Sequence, residues 1–576
     1  MPPLSVPGFP FEADQLSKPG TARSPKQPST CRASLCFIPA CQLVAYSRLG
    51  SNFYYLPSAR NGLAMSRALG DRDSLDSESA RPFLEPILRM EFSGAKIRRP
   101  SRIKWLSCCG STRIRFVWVG LLIVGTTIHL LSGFPKWFEM NALPMNSKED
   151  EGVRGGSIPS SSALLATNAT ATFRENLVPS MKYVTTFLSA GFTNQFMEIA
   201  SLVYLSILTQ RVPVVPAFLA DHFGKATDVA PTPFSDIFDL PYLLGKLGTP
   251  IVEWHELKRT TYSSIDGPRP ETEKIGCWST VAGYKDSQPV YSYSSEIYEL
   301  DISYTPVPST LSLTHGSDPN TYMWSIWGLA SLGFAKSRMR VLSDQFRKAF
   351  PLRSNQDRKL EPDEIMLCWD SLYYTGVFEP LPSQDFFNDY SPFWSQVGTH
   401  MRWKPSLVEL ANQYLRRHFG IQNTTDPIPP FISVHVRRTD FEGGCGKDVG
   451  KDQCFAPVAA YERRVHEVQA RLKARADGTD VREILVTSDE RDPVWWKQVS
   501  ALGPEWRWID HAAEETGEKY GKWFPLLLDT IFQSMGKGFV GTAQSTMSEL
   551  ARVRVEDWND GESAIVRWGS PSADDH

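Results

Sequence analysis

The sequence predicts an α/β protein with two Rossmann-like domains, a cleft between them, and a single transmembrane helix before the first domain. Three observations predict this fold. Strands alternate with amphipathic helices in two separate stretches, which is the pattern of parallel sheets. At 576 residues the chain is too long for one compact core. One uncharged apolar segment approaches the length that spans a bilayer.

The apolar segment is 116–134, nineteen residues without a formal charge. The twenty residues before it carry seven Lys or Arg and no acid, whereas acids outnumber bases just after it. This asymmetry predicts a single-pass anchor with the N-terminus in the cytosol and the rest in the lumen. A buried core helix is the competing interpretation, but the polar, Pro-rich flanks could not wrap one. We expect a Golgi membrane, with the endoplasmic reticulum as the alternative.

The regions around the anchor differ in composition. Residues 1–112 are rich in Pro, Ser and Arg and are predicted to be a disordered cytosolic tail, unless the start site is misjudged. Residues 135–180 are predicted to be a Ser/Thr/Ala-rich stem. We expect an N-terminal α/β half at 181–428 and a C-terminal Rossmann-like half at 429–565.

The N-terminal half opens with one βαβ unit. The pattern predicts a strand at Tyr183–Leu188, a helix at Asn194–Thr209 and a strand at Val212–Val215. The stretch from about 230 to 400 is loop-rich and aromatic-rich, and a helix near Met339–Phe350 is the main element expected there.

In the C-terminal half strands and helices alternate regularly. The expected strands are Phe431–Val436, Ile484–Thr487, Arg507–Ile509 and Gly538–Gly541. The expected helices are Ala459–Ala474, Pro493–Ala501, Phe524–Met535 and Thr546–Val553. In such a doubly wound domain, ligands bind at the carboxyl ends of the strands.

Charged side chains gather at the end of the first of these strands. His435, Arg437, Arg438 and Asp440 lie within six residues of each other. The planar guanidinium fork suits phosphate, which predicts an anion site at this strand end. An internal salt bridge between Arg438 and Asp440 explains the same residues equally well.

Two further clusters follow strands. Ser545 and Thr546 open the last helix, where Thr546 and Glu549 match a capping box, and a helix N-terminus can bind phosphate. Near the other end of the fold, Asn194 follows the turn at Gly191. Asn194 is expected either to cap its helix or to face the cleft.

The cysteines and glycosylation acceptors agree with an oxidising lumen. The four cysteines after the anchor are an even number, and Cys445 and Cys454 are the expected disulfide. The triplets at Asn168 and Asn423 are expected N-glycosylation sites.

The three clusters, in this order, resemble the GDP-fucose protein O-fucosyltransferase family and its α-1,6-fucosyltransferase relatives. The matching segments are the Gly-x-x-Asn-Gln turn (AGFTNQF), the His-x-Arg-Arg-x-Asp strand end (HVRRTDF) and the block LLLDTIFQSMGKGFVGTAQST. The resemblance covers roughly 182–560. It implies a GT-B fold, GDP-fucose as the donor, and inversion at the anomeric carbon without a metal.

The resemblance also implies roles for individual residues. Arg437 would contact the β-phosphate and the bridging oxygen, with His435 beside it as the second catalytic residue. Donor binding would fall to Arg438, Asp440, Asn194, Asp529, Ser545 and Thr546, with Asp529 reading guanine. Neither the catalytic base nor the acceptor, a protein or a glycan, is identified. Glu198 is expected to pack or to face solvent.

No cofactor other than the donor is expected. The chain's Asp-x-Asp motif, Asp71 and Asp73, lies in the cytosolic tail, so no metal ion is predicted in the site. A net charge of −3 gives no reason to expect nucleic acid as a partner. The alternatives are a transferase for another nucleotide sugar and a catalytically silent lumenal binding protein. Internal salt bridges locking both Arg437 and Arg438 would favour the silent protein.

Overall fold

The structure is a computed structural model that describes residues 161–221, 229–260, 271–281, 289–313, 323–351, 359–378, 385–423, 425–445 and 449–575. The predicted tail (1–112), the anchor (116–134) and the stem up to residue 160 lie outside the described residues. Within these ranges, none of the helices has the length and apolar character needed to cross a bilayer.

The strands of the described residues are β1 Tyr183–Thr186, β2 Val212–Val215, β3 Val252–Glu253, β4 Glu273–Ser279, β5 Leu300–Pro306, β6 Trp324–Ser325, β7 Phe350–Pro351, β8 Met366–Trp369, β9 Thr375–Gly376, β10 Phe431–Val436, β11 Glu483–Ser488, β12 Trp506–Trp508, β13 Gly538–Thr542 and β14 Glu562–Val566.

The α-helices are α1 Ser161–Leu164, α2 Phe173–Asn176, α3 Phe192–Thr209, α4 Phe234–Ile237, α5 Leu240–Leu247, α6 Trp254–Leu257, α7 Ser294–Ile297, α8 Ile326–Ser331, α9 Ala335–Phe346, α10 Pro405–His418, α11 Lys451–Cys454, α12 Val458–Ala474, α13 Pro493–Ser500, α14 Thr516–Tyr520, α15 Phe524–Met535 and α16 Thr546–Asn559. Shorter 3₁₀ turns span Ser309–Leu311, Gly398–His400 and Asp440–Gly444, and a π-helical turn spans Phe393–Val397.

The first sheet has seven strands in the order β3-β2-β1-β8-β4-β5-β7. Its pairs are parallel except that of β5 with the short β7. β1 lies between β2 and β8, with Tyr183 opposite both Val212 and Met366. The βαβ unit expected from the sequence therefore supplies two neighbouring strands on one side of the central β8, and the loop-rich middle of the chain supplies the other five strands.

The second sheet has five parallel strands in the order β12-β11-β10-β13-β14. The sequence predicted four of them and missed β14, whose residues are mostly half-buried and lack the long apolar run of a central strand. The predicted end at residue 565 is also too early. The buried Asp574 carboxylate accepts hydrogen bonds from Arg463 and Arg464 of α12, so the folded half continues past β14.

The predicted stem (135–180) is wrong for its last twenty residues. Phe173 is fully buried, and Leu165 and Leu177 form a bridge with each other. The Asn176 amide donates to the Leu257 carbonyl at 3.0 Å. These contacts pack residues 161–180 onto the N-terminal half. Burial of the apolar side chains and the hydrogen bond of the buried amide stabilise this packing.

One hydrophobic core is shared by the two halves. It contains Phe196 of α3 and Trp403 from the chain before α10, together with Leu528 of α15 and Leu550 of α16. The two halves therefore meet through packed side chains, and the site described next lies where their strand ends approach each other.

Candidate active site

The strand order of the second sheet reverses between β10 and β13, the position at which doubly wound sheets bind ligands. Arg437 directly follows β10, and Thr542 ends β13. The Arg437 backbone N–H donates to Thr542 Oγ1 at 3.0 Å, and Thr542 Oγ1 donates to the His435 carbonyl at 3.0 Å. The two strand ends are thus joined at the switch point, and Arg437 leaves the sheet there.

The Arg437 side chain is held by two acids. Its guanidinium forms ion pairs with Asp440 and, at 3.4 Å, with Asp489, and 22% of the side chain remains exposed. The predicted alternative of a pair between Arg438 and Asp440 is wrong, because the 3₁₀ turn that begins at Asp440 brings this carboxylate to Arg437 instead. Asp489, at the end of β11, was not identified in the sequence.

Arg438 occupies a different environment from its neighbour. Its Nε donates to Glu490 Oε2 at 2.7 Å, and its guanidinium lies over the rings of Phe455 (4.8 Å) and Trp495 (5.6 Å). Arg438 and Glu490 are each only 7% exposed. Burial would raise the pKa of Glu490, but backbone N–H groups and Arg438 outweigh it, and the pKa is lowered. The geometry gives Arg438 a structural partner and favours a structural role over the donor contact that the resemblance implies.

His435 is a buried residue of β10. Its Nδ1 lies 2.8 Å from Ser548 Oγ, which also accepts the Thr542 N–H at 2.9 Å. Burial, together with the nearby charge of Arg437, lowers the pKa of His435 to about 3. The imidazole is therefore neutral near pH 7 and can hold position or hydrogen-bond, but it adds no positive charge to the site.

The last helix, α16, begins beside these groups. Ser545 is its N-cap, and Ser545 Oγ accepts the Ser548 N–H at 3.3 Å. The predicted capping box of Thr546 and Glu549 is wrong, because the N-cap is Ser545 rather than Thr546 and Glu549 binds Arg552 at 2.8 Å. The Ser545 hydroxyl is buried and occupied by capping.

The turn into α16 leaves backbone donors at the helix N-terminus. Gln544 has a left-handed conformation (φ 66°), which turns the chain sharply from β13 into the helix. Among the described residues, none accepts the N–H groups of Thr546 or Met547. Unpaired N–H groups and the helix dipole favour an anion here, close to Arg437. In the same described ranges, no three His, Cys, Asp or Glu side chains converge to hold a metal ion.

Asn194 joins the two halves at this point. The N-cap of α3 is Gly191, so the expectation that Asn194 caps the helix is wrong. Asn194 Oδ1 instead accepts a hydrogen bond from Thr546 Oγ1 at 3.0 Å, across 352 residues of sequence. Asn194 and Thr546, assigned to separate clusters in the sequence, are therefore neighbours in one site.

Gln195, next to Asn194, fixes the turn that precedes α3. Its amide nitrogen donates to the carbonyls of Ala190 (2.6 Å) and Leu219 (2.8 Å), and its amide oxygen accepts the Leu219 N–H at 2.8 Å. Ala190 has a left-handed conformation (φ 61°). One turn further, Glu198 is fully buried, and burial raises its pKa well above the usual value. Of the two expectations for Glu198, packing is found and solvent exposure is not.

Asp529 of α15 is not a lone acid. Its Oδ1 lies 3.0 Å from His511 Nε2, and His511 Nδ1 lies 3.0 Å from Thr516 Oγ1, which in turn contacts the Tyr414 hydroxyl at 2.8 Å. Burial alone would lower the pKa of His511, but Asp529 outweighs it and the pKa is raised. His511 was not identified in the sequence, although it follows β12 closely. Guanine recognition by Asp529 stays a prediction.

Two disulfides are present in the described residues. One joins Cys445 to Cys454, the pair expected from the sequence, next to the 3₁₀ turn that carries Asp440. The other joins Cys277 of β4 to Cys368 of β8 inside the first sheet. No pairing was expected for these two, because they are 91 residues apart in sequence.

Trp568, beyond β14, braces the loops of the site. Its ring lies 5.1 Å from that of Phe441 and 5.9 Å from that of Phe455, on either side of the Cys445–Cys454 loop. Its Nε1–H donates to the Ala543 carbonyl at 3.0 Å, in the turn between β13 and α16. One side chain therefore contacts both loops that flank Arg437.

The two predicted glycosylation acceptors lie on the surface. Asn168 is exposed, and so is Asn423, whose amide nitrogen donates to Asp426 Oδ1 at 3.2 Å. Both side chains are accessible to a modifying enzyme, and their glycosylation stays a prediction.

Comparisons with known proteins identify the family. The family model described as GDP-fucose protein O-fucosyltransferase matches residues 183–555. POFUT1 in complex with GDP-fucose is 14% identical over 68% of this chain and 99% of its own, with a TM-score of 0.37. The fucosyltransferase NodZ from Bradyrhizobium is 12% identical over 65% of this chain and 92% of its own, with a TM-score of 0.30. No curated protein matches the sequence.

The family match confirms the resemblance carried by the three clusters. Because it covers more than half of the sequence, the chain belongs to the GDP-fucose protein O-fucosyltransferase family and is a GDP-fucose-dependent fucosyltransferase.

Proposed function

We propose that the protein transfers L-fucose from GDP-fucose to a hydroxyl group of a protein or glycan acceptor, with inversion at the anomeric carbon and without a metal ion. One observation carries the proposal. Arg437 leaves the switch point of the second sheet beside the N-terminus of α16, where two backbone N–H groups lack acceptors in the described part of the chain.

The chemistry follows from these groups. The acceptor oxygen attacks the anomeric carbon as the bond from that carbon to the β-phosphate oxygen breaks, and negative charge develops on the departing GDP. The Arg437 guanidinium and the positive end of the α16 dipole would stabilise this charge. The neutral His435 would keep the end of β10 in place through Ser548. The base that takes the acceptor proton is not assigned.

The ion pairs of Arg437 and Arg438 bear on the silent-protein alternative. Both arginines are paired with acids, as that alternative requires. They differ in exposure, however, since Arg438 is buried whereas Arg437 is partly exposed to solvent. Arg437, unlike Arg438, is therefore accessible to a donor diphosphate that would compete with Asp440 and Asp489 for its guanidinium. Donor binding must therefore be measured separately from turnover.

The test compares Arg437→Ala with Arg482→Ala in the purified protein. Arg482 is a matched control, because its side chain is 84% exposed and, among the described residues, forms an ion pair only with the surface residue Asp480. We expect Arg437→Ala to lower fucose transfer about 100-fold or more, the usual effect of losing a group that stabilises developing charge. Arg482→Ala should keep wild-type activity.

The assay measures nucleotide-sugar binding by calorimetry, and labelled fucose transfer to folded Ser/Thr-containing domains, peptides and N-glycans. Binding of a UDP-sugar in place of GDP-fucose would support the other-nucleotide alternative. Binding of no nucleotide sugar would support the silent protein. Near-normal transfer by Arg437→Ala would show that the role of Arg437 is wrong.

We propose a lumenal, Golgi location for the site, with residues 116–134 as the anchor. Charge asymmetry around that segment and the exposed Asn168 and Asn423 side chains support the proposal. In intact vesicles, protease should spare the C-terminal part, and glycosidase treatment should reduce its apparent mass. Cleavage of the C-terminal part without detergent would contradict the proposed orientation.

A further inference from the structure

Arg554 of α16 is a buried cation that the proposed reaction does not use. It is fully buried, and none of its three guanidinium nitrogens has a hydrogen-bond partner among the described residues. The guanidinium carbon lies 4.2 Å from the ring centre of Trp403, 4.9 Å from that of Phe196 and 5.0 Å from that of Trp558. Aromatic rings from both halves therefore surround Arg554 where an acid would be expected.

A second arginine, Arg402, lies near Arg554 and carries a charge of the same sign. Arg402 lies 4.2 Å from the ring centre of Trp558, so both arginines contact one indole. Burial, and then the charge of Arg402, lower the pKa of Arg554 well below its usual value. The buried Arg402 Nε also lacks a hydrogen-bond partner in the described part of the chain. Arginine nevertheless stays protonated in proteins. Asp557 acts on Arg402 and accepts a hydrogen bond from Trp394, so one acid stands against two arginines. The local arrangement thus keeps an excess of positive charge and unmet N–H donors.

The aromatic rings compensate the charge of Arg554 only in part and do not supply hydrogen-bond acceptors for its N–H groups. Aromatic faces attract a guanidinium placed over them, but its N–H groups lie in the guanidinium plane and require acceptors. Water would accept these bonds, yet a buried water needs acceptors for its own hydrogens, and this arrangement supplies donors and aromatic surface. An anion accepts hydrogen bonds from several donors, donates none and neutralises the charge.

We propose that Arg554 and Arg402 bind a small inorganic anion of the size of chloride at the junction of the two halves. The rings of Trp403, Phe196 and Trp558 lie so close to the guanidinium that they exclude a bulky anion. Arg402 is only partly buried and gives the anion a route from solvent. The bound anion connects α3, through Phe196 on Arg554, with the chain segment that carries Arg402 and Trp403.

This site is separate from the donor diphosphate. Arg554 lies eight residues after Thr546, and eight residues of α-helix span about 12 Å. Anion binding at Arg554 therefore does not depend on the proposed fucosyl transfer, and the two proposals can fail independently.

The test follows thermal unfolding of the purified full chain in sodium chloride, sodium bromide and sodium gluconate at equal ionic strength. We expect a saturable rise in Tm of a few degrees with either halide and no rise with gluconate, because a ligand that binds only the folded state stabilises it. Arg554→Met should abolish the halide response while filling the aromatic space. Arg552→Met is the matched control, since Arg552 lies on the same helix with its own acids Glu549 and Glu556, and it should keep the response.

Crystals soaked in bromide provide the second measurement and do not depend on the folding of a variant. We expect an anomalous peak within hydrogen-bonding reach of the Arg554 guanidinium. Equal Tm values in halide and gluconate, or a wild-type crystal without an anomalous peak at Arg554, would overturn the proposal. A halide response that persists in Arg554→Met would place the anion elsewhere and would also overturn it.

Discussion

The adjacent Arg437 and Arg438 allow a sharp test, because the structure assigns opposite consequences to replacing each of them. Arg438→Met removes the cationic partner of the buried Glu490, which then keeps its charge with the backbone N–H groups of Arg491 and Asp492 as donors. Breaking a buried pair in this way costs about 3–5 kcal/mol. We therefore expect Arg438→Met to lower Tm by roughly 5–10 °C.

Removal of both charges should cost less stability than the two single replacements together. In the double variant Arg438→Met/Glu490→Gln no buried ion is left, so its loss of stability should be smaller than the sum of the two single losses. Arg437→Ala removes a partly exposed pair and should change stability by no more than about 1 kcal/mol. Donor binding should show the reverse order, with Arg437→Ala severely affected and Arg438→Met largely unaffected at a temperature where it is folded.

The assay combines thermal unfolding by circular dichroism with GDP-fucose titration of each variant well below its Tm. One result would refute the assignment. If Arg438→Met unfolds within about 1 °C of the wild type but no longer binds GDP-fucose, Arg438 contacts the donor and its pairing with Glu490 is not its main role.

Three further predictions concern buried groups. Because the pKa of His435 is lowered to about 3, the unfolded chain binds a proton below pH 6.5 that the folded chain does not. The free energy of unfolding should therefore fall by about 1 kcal/mol between pH 7 and 5.5. His435→Gln should reduce the dependence of Tm on pH in this range, and an unchanged dependence would contradict the burial of a neutral imidazole. The raised pKa of His511 has the opposite effect on stability. The pairing of protonated His511 with Asp529 stabilises the fold below about pH 6.5, and this stabilisation is lost as the pH rises through the folded-state pKa of His511. Asp529→Asn should therefore destabilise the fold more at pH 6 than at pH 8.5. Equal losses at the two pH values would exclude a protonated pair. Replacing Cys277 and Cys368 by Ser should cost about 2–5 kcal/mol in thermal unfolding under non-reducing conditions, and a loss under 1 kcal/mol would show that this disulfide is dispensable.

The sequence predicted the second sheet better than the first, for physical reasons. β10 is an apolar run without a competing helical period, and its predicted bounds match the structure. Helix α15, with its Pro near the start and an apolar face, is likewise found where it was predicted. The middle of the chain failed because strands such as β4 (EKIGCWS) and β5 (LDISYTP) mix charged and aromatic residues, which hides their period.

The site was predictable in its residue types but less so in its contacts. The strand-end rule placed Arg437 and the start of α16 at the carboxyl edge of the sheet, and the structure joins Arg437 to Thr542, which ends the strand before α16. The contact of Asn194 with Thr546 spans 352 residues, so no local pattern could reveal it. Asp489 carries no local signal either, since an acid after a strand is common in any protein.

The brace formed by Trp568 has a consequence for how such sites change over time. It contacts Phe441 before the Cys445–Cys454 loop, Phe455 after it, and the turn at Ala543, yet it lies beyond the residues matched by the family model. A shared packing partner means that neither loop can change its shape or length alone. We therefore infer that the Cys445–Cys454 loop and the turn at Ala543 vary as a unit in relatives that keep this tryptophan. Transplanting one of them into another family member would require the C-terminal segment as well.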